Sequence, residues 1–130
     1  MKTKNLLFPI ALIAVAVIFQ SSILINDSSS IAGDVNIPED VKSVLDNKCY
    51  GCHNMEAKSD KAKDKLLIDK LGDLSKAKLI AKLGDIGEVA GEGSMPPEKF
   101  LEQKPEKKLT EDEQKLLVDW AEKTADEMLN

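Results

Sequence analysis

The apolar residues of this chain are unevenly spread, and the densest run comes first. Leu6 to Phe19 form a nearly unbroken apolar block, Ile23, Leu24 and Ile25 extend it, and Lys2 and Lys4 precede it. A basic start followed by such a block is an export signal. Read from Leu6 to Ile25, the same stretch has twenty residues, enough to cross a bilayer at about 1.5 Å per residue. Residues 1–25 are therefore expected to be a signal peptide or a membrane anchor. Ser30-Ile31-Ala32 offers a small-x-small cleavage site. If the span is retained instead, the lysines stay cytoplasmic and the rest faces outward. Residues 26–36, with Asn26-Asp27-Ser28-Ser29-Ser30 and Gly33-Asp34, read as a linker.

From residue 37 onward, wherever the apolar spacing is periodic the period is that of a helix. Pro38 suits a helix start, and Glu39 and Asp40 behind it suit the helix dipole. Val41, Val44 and Leu45 then share a face. Met55 to Lys65 is rich in lysine and aspartate, a solvated loop or frayed helix, and Leu66, Leu67, Ile68 and Leu71 follow as a short apolar patch. Leu79, Leu83, Ile86 and Ala90 predict a helix from Ser75 to about Ala90. Gly84 and Gly87 count against it, at about 1 kcal/mol each relative to alanine. Gly91-Glu92-Gly93-Ser94 ends that helix, and Met95-Pro96-Pro97 cannot continue it. Residues 98–108 read as a loop with one helical turn. Thr110 with Glu113 forms a capping box opening a last helix to about Met128, whose apolar stripe is Leu117, Trp120, Ala121, Ala125 and Met128, with Trp120 in the core. No strand pattern or internal repeat is present, so the fold class is all-α, three to five helices in one domain over 37–130.

Charge and composition narrow the function. The 98 residues from Gly33 hold sixteen lysines, no arginine and twenty-two acidic residues, a net charge of −6. That balance argues against nucleic acid and permits docking to a basic partner. Only Tyr50, Phe100 and Trp120 supply aromatic bulk there, little for a domain of this size. A central apolar cofactor would fill the deficit.

One stretch names such a cofactor. Cys49-Tyr50-Gly51-Cys52-His53 places two thiols three positions apart with an imidazole behind the second, the attachment pattern of c-type haem. One helical turn presents both sulfurs to the two porphyrin vinyl groups, and the histidine lies beneath the iron. Other chemistry is open to the same residues. Cys49 and Cys52 would form a small disulfide in an exported protein. A thioredoxin-like pair needs a βαβ setting, and the sequence that follows is helical. A zinc site needs about four ligands, more than the nitrogen and sulfur donors present.

His53 is the only histidine, which rules out a second histidine from this chain on the iron. The other axial position falls to a methionine, a lysine or nothing. Met55 is two residues past His53, too close to reach the opposite face, and Met128 belongs to the core of the last helix. Met95, 42 residues beyond His53 and held by two prolines, is the candidate. A thioether opposite imidazole raises the potential and fills the coordination sphere, which suits electron transfer.

Taken together, the haem motif, Met95-Pro96-Pro97 and a capped last helix carrying Trp120 resemble a class I c-type cytochrome. More narrowly, Pro38-x-x-Val41, the motif, Met95-Pro96-Pro97 and Leu109-Thr110 leading to Trp120 resemble the small exported bacterial haem-binding domain family, over about residues 36–125. The resemblance implies thioether bonds at Cys49 and Cys52, His53 as proximal ligand and Met95 as distal ligand of one covalent haem c. One departure stands out: many class I cytochromes carry a proline shortly after the motif whose carbonyl orients the proximal ring, and none occurs here between His53 and Pro96. The expectation is thus a non-enzymatic, monomeric monohaem electron carrier of the periplasm, soluble or anchored to the inner membrane, serving redox partner proteins there. Its rivals are a haem sensor or peroxidase-like protein with a labile sixth ligand, and a haem-free module stapled by a Cys49–Cys52 disulfide.

Overall fold

A computed structural model describes residues 35–130 of the chain. The leader expected over 1–25, and the linker as far as residue 34, lie outside the described residues. Among those described there are five α-helices and no strand: α1 (Glu39–Val44), α2 (Asp60–Lys65), α3 (Lys76–Gly91), α4 (Glu98–Leu101) and α5 (Glu111–Leu129), with 3₁₀ turns at Ile68–Asp73 and Pro105–Lys107. The all-α reading holds.

The two long helices carry the packing. α3 lies along α5 and buries Leu79, Leu83, Ile86 and Ala90, the four residues its sequence spacing singles out. α5 answers with Leu117, Trp120 and Ala121. Each leucine taken fully out of water contributes about 1.5–3 kcal/mol, which far outweighs the cost of two helical glycines. Gly87 in fact serves the packing: a Cβ built there would stand 3.5 Å from the Cβ of Ala121, so its bare backbone lets the two helices approach closely.

The ends of these helices follow from local chemistry. At the start of α5, the Thr110 hydroxyl accepts from the Glu113 amide at 3.2 Å and the Glu113 carboxylate accepts from the Thr110 amide at 2.8 Å, the reciprocal pair of a capping box. α3 stops at Gly93, whose φ of 64° is left-handed. There Gly93 N–H reaches the Ala90 carbonyl and Ser94 N–H the Val89 carbonyl, each at 3.1 Å, the two bonds that close a Schellman ending.

The remaining core residues tie the site to this pair. α1 contributes Val41 and Val44, and Leu45, Leu71 and Leu109 complete the cluster. Val35 and Ile37 pack against it, and the Trp120 indole donates to the Asn36 carbonyl at 3.1 Å. The last two residues of the expected linker are therefore seated on the domain.

Candidate haem site

The Cys–His segment leaves α1 through a wide turn. Leu45–Cys49 is π-helical, closed by a bond from Tyr50 N–H to the Leu45 carbonyl at 2.8 Å. The extra residue per turn relative to an α-helix re-aims whatever follows. Here it leaves Leu45 in the core and Cys49 half-buried against it. The sequence pattern of α1 does not contain this turn, because apolar spacing over three residues fits either helix.

Cys49, Cys52 and His53 then occupy a single turn. The amides of Cys52 and His53 both donate to the Cys49 carbonyl at 3.1 Å, and both thiols are free. Burial pushes the Cys49 thiol up to about 11, with Cys52 and Glu113 adding to the effect.

His53 is half-buried and gripped from one side. Its Nδ1 lies 3.0 Å from the Ala62 carbonyl and 3.1 Å from the Leu66 carbonyl, both acceptors. Two carbonyl acceptors at Nδ1 select the Nδ1–H form of the neutral ring, the tautomer in which Nε2 is the nitrogen that can bind a metal. The His53 carbonyl accepts from Ile68 N–H at 2.9 Å. Ala62 lies inside α2 and Leu66 is its C-terminal cap, and the helix itself is capped at its start by the Ser59 hydroxyl. The proline carbonyl that the sequence lacks is replaced by these two main-chain oxygens.

Two further anchors hold the segment. On the side after Cys49, the Tyr50 hydroxyl donates to one Asp69 oxygen at 2.6 Å and the Met55 amide to the other at 3.1 Å. The bond from Tyr50, followed by that from Met55, holds the Asp69 carboxyl below its ordinary range, and the same partnership raises the Tyr50 phenol. The proton stays on tyrosine. On the side before Cys49, the Lys48 ammonium donates to the carbonyls of Glu106 and Lys108 at 2.9 and 3.0 Å and sits 3.5 Å from Glu113. Lys107 returns the contact, donating to the Asn47 carbonyl at 2.7 Å. Sequence reading missed Lys48, Ala62, Leu66, Ile68 and Asp69. Main-chain acceptors leave no signature in side-chain identity, and Lys48 and Asp69 are hidden among many charges.

Met95 stands elsewhere in the chain, on the connection between α3 and α4. Pro96 beside it is buried, while Met95 is 37% exposed and is not among the residues packed on the core. The structure thus joins three of the four expected site residues in one turn and leaves the fourth on a separate loop. Tyr50, Met55 and Met95 are also three of the four exposed large hydrophobic residues among those described.

These features fit a haem: one imidazole engaged through Nδ1 by two carbonyls, two free thiols within a turn of it, and the exposed side chains of Tyr50 and Met55 on the same loop. Two surface grooves, one between α3 and α5 and one along α5, are lined by none of these residues. The groove along α5 is a charged helix face, bordered by Asp119, Glu122, Lys123, Asp126 and Glu127, unsuited to an apolar plate.

Comparison with known families decides the cofactor class. The profile of a haem-binding domain matches residues 54–123, just over half of the chain. The chain belongs to the haem-binding domain family. No curated protein and no solved structure matches it. Within the haem-binding domain the match opens directly after His53, so it takes in Ala62, Leu66, Asp69, Met95 and most of α5. It agrees with the narrower of the two resemblances in the sequence and does not single out class I cytochromes.

Proposed function

We propose that this haem-binding domain is a monohaem c-type cytochrome that carries electrons in the periplasm, with Cys49 and Cys52 bonded to the porphyrin and His53 and Met95 on the iron. The observation that carries the reading is the His53 ring, fixed through Nδ1 by two carbonyls within one turn of two free thiols.

Cys49 and Cys52 would hold the porphyrin through thioethers, each made by adding its S–H across a vinyl C=C. Sulfur would bond one carbon and the hydrogen the other, with nothing leaving, so both cysteines would have to arrive reduced. His53 would supply Nε2 to the metal, and the Ala62 and Leu66 carbonyls fix its tautomer. Met95 offers a thioether, a soft donor that favours the reduced metal. The bound group supplies the one-electron couple. Negative surface charge is suited to a basic redox partner, and the leader would bring the domain to the outer side of the inner membrane as a monomer, free or anchored. No residue set for substrate chemistry enters this reading.

The test is mass spectrometry and absorption of the full chain expressed with cytochrome maturation machinery. One added haem per chain and a reduced form indifferent to carbon monoxide are expected. A colourless protein with free or mutually bonded thiols would overturn the reading.

A second reading has one observation in its favour: Met95 is exposed and off the core, so its thioether is poorly held in place. A displaceable sulfur would suit a gas sensor or peroxidase-like protein. Carbon monoxide binding to the reduced protein would favour this reading over the carrier.

A further inference from the structure

A single carboxylate spans the segment that carries Cys52 and His53. Asp69 opens no helix face and lies off the core, exposed, in the 3₁₀ turn after α2. Its two oxygens are divided between the Tyr50 hydroxyl at 2.6 Å and the Met55 amide at 3.1 Å. Tyr50 precedes Cys52 by two residues and Met55 follows His53 by two, so the carboxylate closes a bracket around both.

The same short stretch holds His53 from within the bracket. Leu66 accepts from its ring, Ile68 donates to its carbonyl, and Asp69 fastens the residues on either side. The other bonds in this loop are internal to it: Asn54 to the Tyr50 carbonyl, Glu56 N–H to the Asn54 side chain, Ala57 N–H to the Asn54 carbonyl. They shape the loop without fixing it to the domain. Asp69 supplies side-chain bonds that do.

We propose that Asp69 is a positioning residue for the haem, setting the plane of the His53 imidazole by clamping Tyr50 and Met55. This rests on the haem reading above. Because Asp69 is exposed and its bonds are all to the motif loop, removing its carboxylate leaves the α3–α5 core untouched. Ring orientation and fold stability are thereby separable. A charge-assisted bond at 2.6 Å is among the stronger kinds, and the angle of an axial ligand is a lever by which a protein tunes its metal.

The experiment compares wild type, Asp69→Ala, Asp69→Asn and Tyr50→Phe as full chains, with and without haem. Asp69→Ala removes both bonds. Tyr50→Phe removes one, and Asp69→Asn keeps an acceptor for only one of its two donors. In the oxidised haem protein, the pattern of paramagnetically shifted haem methyl signals reports the imidazole plane. A graded change is expected, largest in Asp69→Ala and intermediate in the other two, with the thermal midpoint nearly constant. In the haem-free protein, ring ¹⁵N shifts of His53 should move in the same order. Haem methyl and ring ¹⁵N signals identical to wild type in all three variants would overturn the proposal, as would changes that only follow a loss of stability. If Asp69→Ala fails to fold, the two milder variants decide. If the wild type takes up no haem, the haem reading fails by itself and the ¹⁵N series still tests Asp69.

Discussion

The Cys49 thiol, pushed from an ordinary value of 9.0 to about 11 chiefly by burial, should be measurably inert in the haem-free protein. The rise cuts its thiolate fraction at neutral pH about a hundredfold. Nucleophilicity increases with basicity at roughly 0.4–0.5 of the pKa change, which restores a factor of about six to ten. The net expectation is alkylation about ten- to fifteenfold slower than in the unfolded chain, before any slowing from restricted access. The assay is iodoacetamide labelling of Cys52→Ser, which keeps the burial of Cys49 and removes its second-largest influence, followed by mass spectrometry from pH 7 to 12. The labelling midpoint should lie well above 9 and return to about 9 in denaturant. The same shift makes a prediction for stability. A group whose folded pKa exceeds its unfolded one stabilises the fold fully below the unfolded value and loses that contribution as pH rises through the folded one. Alkaline destabilisation specific to Cys49 should therefore develop between about 9 and 11 and be absent in Cys49→Ser. Folded Cys49 labelled as fast as the denatured chain, with a midpoint near 9, would refute the burial argument.

Further outcomes follow from other parts of the structure. Tyr50 is the only tyrosine, so its phenolate absorbance in the haem-free protein reports one group. Its midpoint should lie above 10.0, raised first by the Asp69 bond, and fall towards 10.0 in Asp69→Ala; equal midpoints would count against that bond in solution. The stabilisation Asp69 gives is present above its unfolded-chain value of 3.8 and lost as pH falls through its lowered folded value, so the Met55 amide NMR signal should shift only in strong acid. Leu83→Ala, at a fully buried site between α3 and α5, should cost about 2–5 kcal/mol in denaturant unfolding. Met95→Ala should keep the haem attached, lower the potential and admit carbon monoxide; a spectroscopically silent variant would remove Met95 from the iron.

How far the sequence carried the fold depended on how long each element was. α3 and α5 were legible because sixteen and nineteen residues repeat an apolar spacing over several turns, and the capping box of α5 and the glycine ending of α3 mark their limits with side chains of known local chemistry. Gly87 looked like a defect in a helix and turned out to be the point where a second helix comes near, which composition alone does not reveal. α2 buries nothing, so no apolar spacing distinguishes it from a loop. Its reason to exist is its last turn of carbonyls. For the proposed site, Cys49, Cys52 and His53 stood out since the covalent and metal chemistry proposed for them needs particular side chains at fixed spacing. Their supports were not, since a carbonyl belongs to every residue and only the fold says which one faces a ring.

That division of labour explains the arrangement of the domain. The α3–α5 pair supplies most of the core, while the His53 turn is built from a π turn, a six-residue helix and two 3₁₀ turns that together bury only Leu45 and Leu71. Such short elements hold no fixed geometry in isolation. Here they hold one because charged and main-chain groups stitch them at both ends: Lys48 and Lys107 to the turn before α5, Asp69 and Ile68 to the turn before α3. A site suspended in this way can change the angle of one imidazole without repacking the core. Polar substitutions around the motif should therefore alter the spectroscopy of the bound haem more than the stability of the fold, and apolar substitutions in α3 or α5 should do the reverse.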